Sequence, residues 1–505
     1  MQLRLSFTLL LASLAVSLSF LADASHALPA KRNNNMLTLP LKRLHQARSD
    51  IHPQVLLQQH INRGLKRHAR MTGRVQPSKR HLEANLNKRL YVPPVGRQNR
   101  KRKDGFRAHS GEAAAKGEAA KGSASATPTA STASAGGINS TADGIPEIDV
   151  EAAENGGLTL ANAPTANNSL GLDIEANDVG YVATVQIGTP PTDFKFLMDS
   201  GSADMWVGSE NCTTEGTTQG CGNHTFLGPE SSSSFVTIGK QFEVTYGTGQ
   251  VEGVTCSDNV NIAGLALNNH TFGVANVESS DFSADDIPFD GLMGLAQSTL
   301  SEEGVPTPVE ALASAGLISE AIASFKISRL ASDLNDGEIT FGGLDDTKFD
   351  ANTLVTFDNV NTEGFWEGAL TAITSNGQNL GLTGRTAILD TGTTLIIAPP
   401  DDAAAVHETI PGAQSDGEGG FTIPCTTNTS IALEFGGRSF AINPLDLLFA
   451  PVTDDLTGDC VSGISSGEIG GATEWLVGDV FLKNAYFSVN QNTNQISLAV
   501  LAQDG

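Results

Sequence analysis

Cations run out early along this sequence. Of its 505 residues, the first 122 carry 23 Lys and Arg against 6 Asp and Glu, whereas residues 123–505 carry only 8 against 50. A body so poor in basic residues excludes a nucleic-acid-binding surface there. The basic block, near +17, faces an acidic partner near −42 on its own chain. It is therefore expected to cover that body until it is removed, and neither nucleic acid nor a membrane is needed to explain it.

Long apolar runs are also scarce. Only Leu10 to Leu21 approaches one, behind Met1-Gln2-Leu3-Arg4 and ahead of Ala22-Asp23-Ala24. A membrane span needs roughly 20 apolar residues, so this stretch reads as a secretory signal over residues 1–24. Gln503-Asp504-Gly505 follows no hydrophobic tail, which argues against a glycolipid anchor. Seven of the ten histidines lie in the first 122 residues, leaving His224, His270 and His407, and none has His-Glu-x-x-His spacing. Metal catalysis is therefore not expected, and neither a metal nor a cofactor is assigned. The same shortage weakens Gly463-Ile464-Ser465-Ser466-Gly467, a match to the G-x-S-x-G pattern of serine hydrolases that lacks a His partner and a strand-to-helix elbow. It is read as a Gly/Ser loop.

Five cysteines in a secreted chain suggest disulfides and leave one thiol over. Cys212 and Cys221 are close enough to staple one loop, Cys425 and Cys460 would close a longer one, and Cys256 is then the odd residue. A buried, inert role for it competes with a reactive or intermolecular one.

What the chain does contain falls into four parts. After the signal, residues 25–170 form a basic propeptide ending in an Ala/Ser/Gly-rich linker, from about Ser110 to Asn168, that cannot bury enough apolar surface to order itself. Val55 to Leu65 reads as a short amphipathic helix, and Lys79-Arg80, Lys88-Arg89 and Arg100-Lys101-Arg102-Lys103 are candidate processing sites. Beyond about Leu172 short alternating runs such as Tyr181 to Ile187, Phe235 to Ile238 and Ile339 to Gly343 alternate with Gly, Asn, Asp and Pro turns, so the body is mainly β. Helices are expected at Val309 to Ala315, after Pro308, and near Ala403 to His407.

The body repeats itself. Phe194 to Ser202, ending Asp199-Ser200-Gly201-Ser202, is echoed by Arg385 to Thr393, ending Asp390-Thr391-Gly392-Thr393. Gly291-Leu292-Met293-Gly294-Leu295 follows the first copy and Trp475-Leu476-Val477-Gly478-Asp479 the second. Two copies in one order imply two related lobes, 171–348 and 349–505. A carboxylate straight after a buried run is costly unless hydrogen-bonded, and the following hydroxyls and Gly-permitted turn supply the donors. If the two turns meet, the carboxylates share a proton. One can then take a proton from water while the other donates to a substrate carbonyl, which hydrolyses an amide without metal or covalent intermediate. Glycosidases also pair carboxylates, but not in duplicated turns of this kind.

From Val179 to Val500 these features resemble the pepsin family of aspartic proteases, whose dyad is the type case of two carboxylates sharing one proton; fungal members are the most similar. The resemblance implies a bilobal, mainly β fold, two related six-stranded-type lobes with a cleft between them. It implies Asp199 and Asp390 as catalytic residues, braced by Ser200, Gly201, Ser202, Thr391, Gly392 and Thr393. Val244 to Gly249 resembles the flap, with Tyr246, Gly247 and Thr248 over the substrate and Trp206 hydrogen-bonded to Tyr246. Cys212/Cys221 and Cys425/Cys460 match two of the family's usual disulfides, and Leu37 to Arg43 resembles the first propeptide strand. A catalytically silent relative would lose an active-site Asp or Gly, and all are intact.

The implied partners are protein and peptide substrates, the chain's own propeptide as intramolecular inhibitor, and pepstatin-type inhibitors, on a monomer. Phe282, Phe289, Leu292 and Met293 are candidates for the pockets beside the scissile bond, and Thr248 stands where some fungal relatives carry an Asp that accepts Lys, so large apolar side chains are expected as substrate. Acid would weaken the attraction between propeptide and body and release the enzyme. Sequons at Asn139, Asn167, Asn211, Asn223, Asn269 and Asn428 suit a secreted protein, with the vacuole as the alternative address.

Overall fold

The computed structural model describes residues 37–40, 42–43, 158–159, 174–175, 178, 180–246, 249–285, 287–332, 334–452, 457–469 and 471–502. The expected signal, the Val55–Leu65 helix, the dibasic pairs, the Ala/Ser-rich stretch apart from Leu158–Thr159, Gly247 and Thr248 lie outside the described residues.

The body is mainly β. Strand Thr192–Asp199 shows why: Phe194, Phe196 and Met198 alternate into the core while Asp193 and Lys195 face out, the period-2 pattern of a sheet with one buried face. Each buried Phe contributes about 1.5–3 kcal/mol by leaving water. An eight-stranded sheet runs in the order Lys42–Arg43, Tyr181–Ile187, Thr192–Asp199, Gly291–Gly294, Met205–Thr214, Leu265–Glu278, Gln250–Ile262, Val236–Thr245. Tyr181–Ile187 also pairs with Gln250–Ile262, curling the sheet back on itself.

The second half of the body holds a five-stranded sheet, Glu367–Leu370, Arg385–Leu389, Glu474–Val477, Ile396–Ala398, Ile464–Ser466, and two four-stranded sheets. A six-stranded sheet joins the halves, in the order Leu37–Pro40, Glu338–Phe341, Ile322–Lys326, Tyr486–Asn490, Gln495–Ala499, Val355–Asp358. Leu37–Pro40 lies antiparallel on Glu338–Phe341, with Leu37 opposite Phe341 and Pro40 opposite Glu338.

Both expected helices form. Pro308–Ser314 is capped by Thr307, whose hydroxyl accepts from the Glu310 amide while the Glu310 carboxylate accepts from the Thr307 amide, a reciprocal cap. The other spans Pro400–Glu408. The Gly463–Gly467 segment corrects the loop reading: Ile464–Ser466 is a strand pairing in parallel with Ile396–Ala398, and Ser465 is buried in it. Its Gly and Ser content suits a crowded interior position rather than solvent. Disulfides join Cys212 to Cys221 and Cys425 to Cys460, and Cys256 is a buried free thiol.

Candidate active site

Each copy of the repeated motif builds the same local structure. Thr192–Asp199 runs parallel to Gly291–Gly294, which also pairs antiparallel with Met205–Thr214. Arg385–Leu389 runs parallel to Glu474–Val477, which pairs antiparallel with Ile396–Ala398. In both, the turn after the Asp joins two strands that are not neighbours, because a later strand is threaded between them. Only Gly permits that close crossing. A Cβ at Gly294 would lie 2.5 Å from the Ala203 carbonyl carbon, and one at Gly478 would lie 1.9 Å from the Thr393 carbonyl oxygen.

The crossing strands hold the turns from behind: the Leu295 amide donates to the Asp199 carbonyl and the Asp479 amide to the Thr393 carbonyl, each at 2.8 Å. Asp199 and Asp390 are buried, and their carboxylates are held alike. Oδ1 of Asp199 accepts from the Gly201 amide at 3.0 Å and Oδ2 from the Ser202 hydroxyl at 2.5 Å. Oδ1 of Asp390 accepts from the Gly392 amide at 2.9 Å and Oδ2 from the Thr393 hydroxyl at 2.6 Å.

The two turns also meet. Ser200 N–H donates to Thr391 Oγ1 and Thr391 N–H to Ser200 Oγ, both at 2.9 Å. The hydroxyls reach onward, Ser200 Oγ–H to the Leu389 carbonyl at 3.0 Å and Thr391 Oγ1–H to the Met198 carbonyl at 2.8 Å. Four hydrogen bonds thus satisfy two amides, two hydroxyls and two carbonyls across the junction, fixing the two aspartates relative to each other.

A hairpin made by Val236–Thr245 and Gln250–Ile262 carries Tyr246 at its tip, where the Tyr246 amide donates to the Gly249 carbonyl at 2.7 Å. Trp206 Nε1–H donates to the Tyr246 hydroxyl oxygen at 2.7 Å. Phe282 stacks edge-on against both rings, and Phe289 edge-on against Phe282. Leu292 joins this cluster with Val182, Phe242, Val244, Val251, Ala275 and Ile287. Met293, expected beside these residues, belongs instead to the main core, since adjacent strand residues face opposite sides. Burial, then the nearby charges of Asp204 and Asp199, hold the Tyr246 hydroxyl well above its ordinary range, so it stays protonated.

Two further parts of the site escaped the sequence reading. Asp204, buried between Asp199 and Trp206, accepts from the Ser301 hydroxyl and the Glu302 and Glu303 amides. Trp366 Nε1–H donates to the Leu295 carbonyl at 3.0 Å, bracing the first crossing strand from the second half. Asp204 had a local signal, a charged residue inside an apolar run, whereas Trp366 had none. As for metal ligands, Cys212, Cys221 and Glu278 come together, but the two sulfurs are bonded to each other and offer no thiolate.

The model of the eukaryotic aspartyl protease family matches residues 180–501. The chain belongs to that family. Among relatives, a Trichophyton verrucosum protein named "Probable aspartic-type endopeptidase CTSD" is 36% identical over 341 residues, 67% of this chain and 64% of its own length. An aspartic-type endopeptidase of Aspergillus fumigatus is 34% identical over 346 residues, 68% of this chain and 70% of its own. Rhizopuspepsin of Rhizopus chinensis is 37% identical over 331 residues, 65% of this chain and 80% of its own. The chain thus spans just under two thirds of the Trichophyton relative.

Proposed function

We propose that the protein is an aspartic-type endopeptidase that cleaves peptide bonds with a water activated between Asp199 and Asp390. The observation that carries this reading is the matched pair of buried carboxylates, each held by its own Gly amide and hydroxyl on turns locked together through Ser200 and Thr391. The ionised member of the pair takes a proton from water, the protonated member donates to the substrate carbonyl, and the tetrahedral intermediate collapses as the amine is protonated. The hairpin bearing Tyr246 closes over the bound peptide, and Gly247 and Thr248 are assigned to substrate binding with it.

The same reading extends to regulation and specificity. Residues 1–24 direct secretion, outside the cell or to the vacuole, and residues 25–170 are a propeptide that inhibits the enzyme, whose lobes are 171–348 and 349–505. The pairing of Leu37–Pro40 with Glu338–Phe341 supports a propeptide seated in the body's own sheet. Release in acid follows from the opposite charges of the two parts. The cluster of Phe282, Phe289 and Leu292 beside Tyr246 favours large apolar substrate side chains, and the mature enzyme acts as a monomer.

Casein or haemoglobin digestion across pH, with and without pepstatin, tests the activity. Hydrolysis in acid that pepstatin blocks and Asp199→Asn abolishes is expected. Hydrolysis unchanged in Asp199→Asn would overturn the assignment.

A further inference from the structure

Glu303 is 0% exposed, and among the described residues no side chain donates to its carboxyl oxygens, which only the Gly273 amide assists. It ends the segment that Asp204 draws in. Asp204 Oδ1 accepts from the Ser301 hydroxyl at 2.7 Å and the Glu303 amide at 2.9 Å, and Oδ2 from the Glu302 amide at 3.2 Å. The Glu303 side chain then runs beneath the root of the Tyr246 hairpin. A Cβ on Gly273 would lie 2.3 Å from Glu303 Oε1 and 2.6 Å from the Phe242 ring, and Gly273 is the register partner of Trp206. Two carboxyl groups are therefore buried together between the first Asp turn and the hairpin.

A cation does face them, but the Lys240 ammonium lowers the proton affinity of the Glu303 carboxyl by less than burial and the Asp204 charge raise it. From the hairpin's first strand, the Lys240 ammonium donates to the Glu303 carbonyl oxygen at 2.6 Å. Tyr246 and, from the second hairpin strand, the Cys256 thiol face Glu303, with Asp258 next to that thiol and Asp199 next to Tyr246. Glu302 adds its charge beside Asp204. The balance around Glu303 is negative.

We propose that Glu303 is a positioning residue that works only while protonated: uncharged, it packs under Trp206 and Phe242 and holds the hairpin root, and its ionisation toward neutral pH expels the segment and loosens the Trp206–Tyr246 contact. Burial first, and the Asp204 charge second, hold its carboxyl well above the ordinary carboxylate range, and burial raises Asp204 as well. A carboxyl whose folded-state affinity for protons exceeds its unfolded one costs nothing below about pH 4.5 and destabilises progressively as pH rises toward its folded value. The protein thus carries a neutral-pH off switch behind its hairpin. Its effect on catalysis rests on the peptidase reading, whereas its effect on stability does not.

The full-length protein and Glu303→Gln, compared by tryptophan-monitored thermal unfolding and peptide hydrolysis between about pH 4 and 8, test this. The variant should match the parent near pH 4, unfold several degrees higher near pH 7, and extend the neutral limb of activity by about one pH unit or more. Superimposable stability curves would overturn the proposal. Absence of hydrolysis in both proteins would remove the peptidase reading and leave the stability comparison intact. Should Glu303→Gln not fold, Glu303→Leu asks the same question, and failure of both at pH 4 as well as pH 7 would show a carboxyl required at all pH, which also overturns the switch.

Discussion

Ser200 and Thr391 each hold the other's backbone: the hydroxyl of one accepts the amide of the other in both directions at 2.9 Å, across 191 residues of sequence. The symmetry makes the two hydroxyls equivalent, and it makes their removal costly. Thr391→Ala strands the Ser200 amide and the Met198 carbonyl in the interior, each worth about 1–3 kcal/mol. We expect a loss of about 2–4 kcal/mol in stability and a steep fall in kcat, because the aspartates are no longer held in place. Thr391→Ser, which keeps the oxygen, should stay close to the parent in both. Thermal unfolding and kcat for the two variants separate the hydroxyl from the methyl group.

The Trp206–Tyr246 hydrogen bond links the hairpin to the strand following the first Asp turn. Tyr246→Phe leaves a buried indole N–H without its acceptor, a cost of about 1–3 kcal/mol, and Trp206→Phe removes the donor and part of the aromatic packing. Either change should lower kcat/KM about 10-fold to 100-fold, equivalent to about 1.4–2.8 kcal/mol. The double variant should lose far less than the sum, since both singles break the same bond. Additive losses would mean that the two rings act independently.

Those two relationships also mark how far the sequence could be read. The Asp turns were legible because each is a local pattern, an apolar strand, an acid, a hydroxyl and a Gly, and because it occurs twice. The helix at Pro308–Ser314 was legible for the same reason: its Pro and its capping pair are contiguous. The bracing by Ser200 and Thr391 was implied only by the family resemblance and the duplication, because no local pattern says that two distant turns touch. Asp204 and Glu303 lie 99 residues apart, and nothing near Glu303 signals burial, since Ser301-Glu302-Glu303-Gly304 looks like a solvated turn. Ile464–Ser466 was misread because small polar residues resemble a loop until a parallel neighbour and a covering layer are present.

Stability should peak in mild acid. Burial, then Asp290, pushes the Glu278 carboxyl up to about 8, and burial pushes Glu338 to about 8 also. Each favours the protonated folded state, so stability falls as pH rises from about 4.5 to 8. Burial lowers His270 and His407 to about 4; these favour the neutral folded state, so stability falls as pH drops from about 6.5 to 4. His407 Nδ1–H donates to the Ala403 carbonyl, and its Nε2 lies 2.8 Å from the Ser462 hydroxyl, a partner that can serve the neutral ring as donor. With Asp204 and Glu303 added, raised carboxyls outnumber lowered imidazoles, and the peak moves toward the acid side. Thermal unfolding across pH should show a maximum near pH 4–5, and Glu278→Gln should gain stability at pH 7.5 while matching the parent at pH 4. A maximum at neutral pH would contradict the balance drawn from these buried groups.

The two disulfides should differ in worth because they close loops of different size. Cys425 and Cys460 are 35 residues apart and Cys212 and Cys221 only 9. In the chain-entropy picture the longer loop contributes about 3.8 kcal/mol and the shorter about 2.6 kcal/mol. Replacing Cys425 and Cys460 together by Ser should therefore lower the unfolding free energy more than replacing Cys212 and Cys221. Glu278 modifies the second case: it is buried beside the Cys212–Cys221 sulfurs, so two serine hydroxyls there can donate to a group that the disulfide leaves unassisted. This partial rescue should widen the gap between the pairs beyond the entropic difference. Denaturant unfolding of the two double variants at pH 5 provides the comparison, and a greater loss from the Cys212/Cys221 pair would show that local packing, not loop closure, governs both bridges.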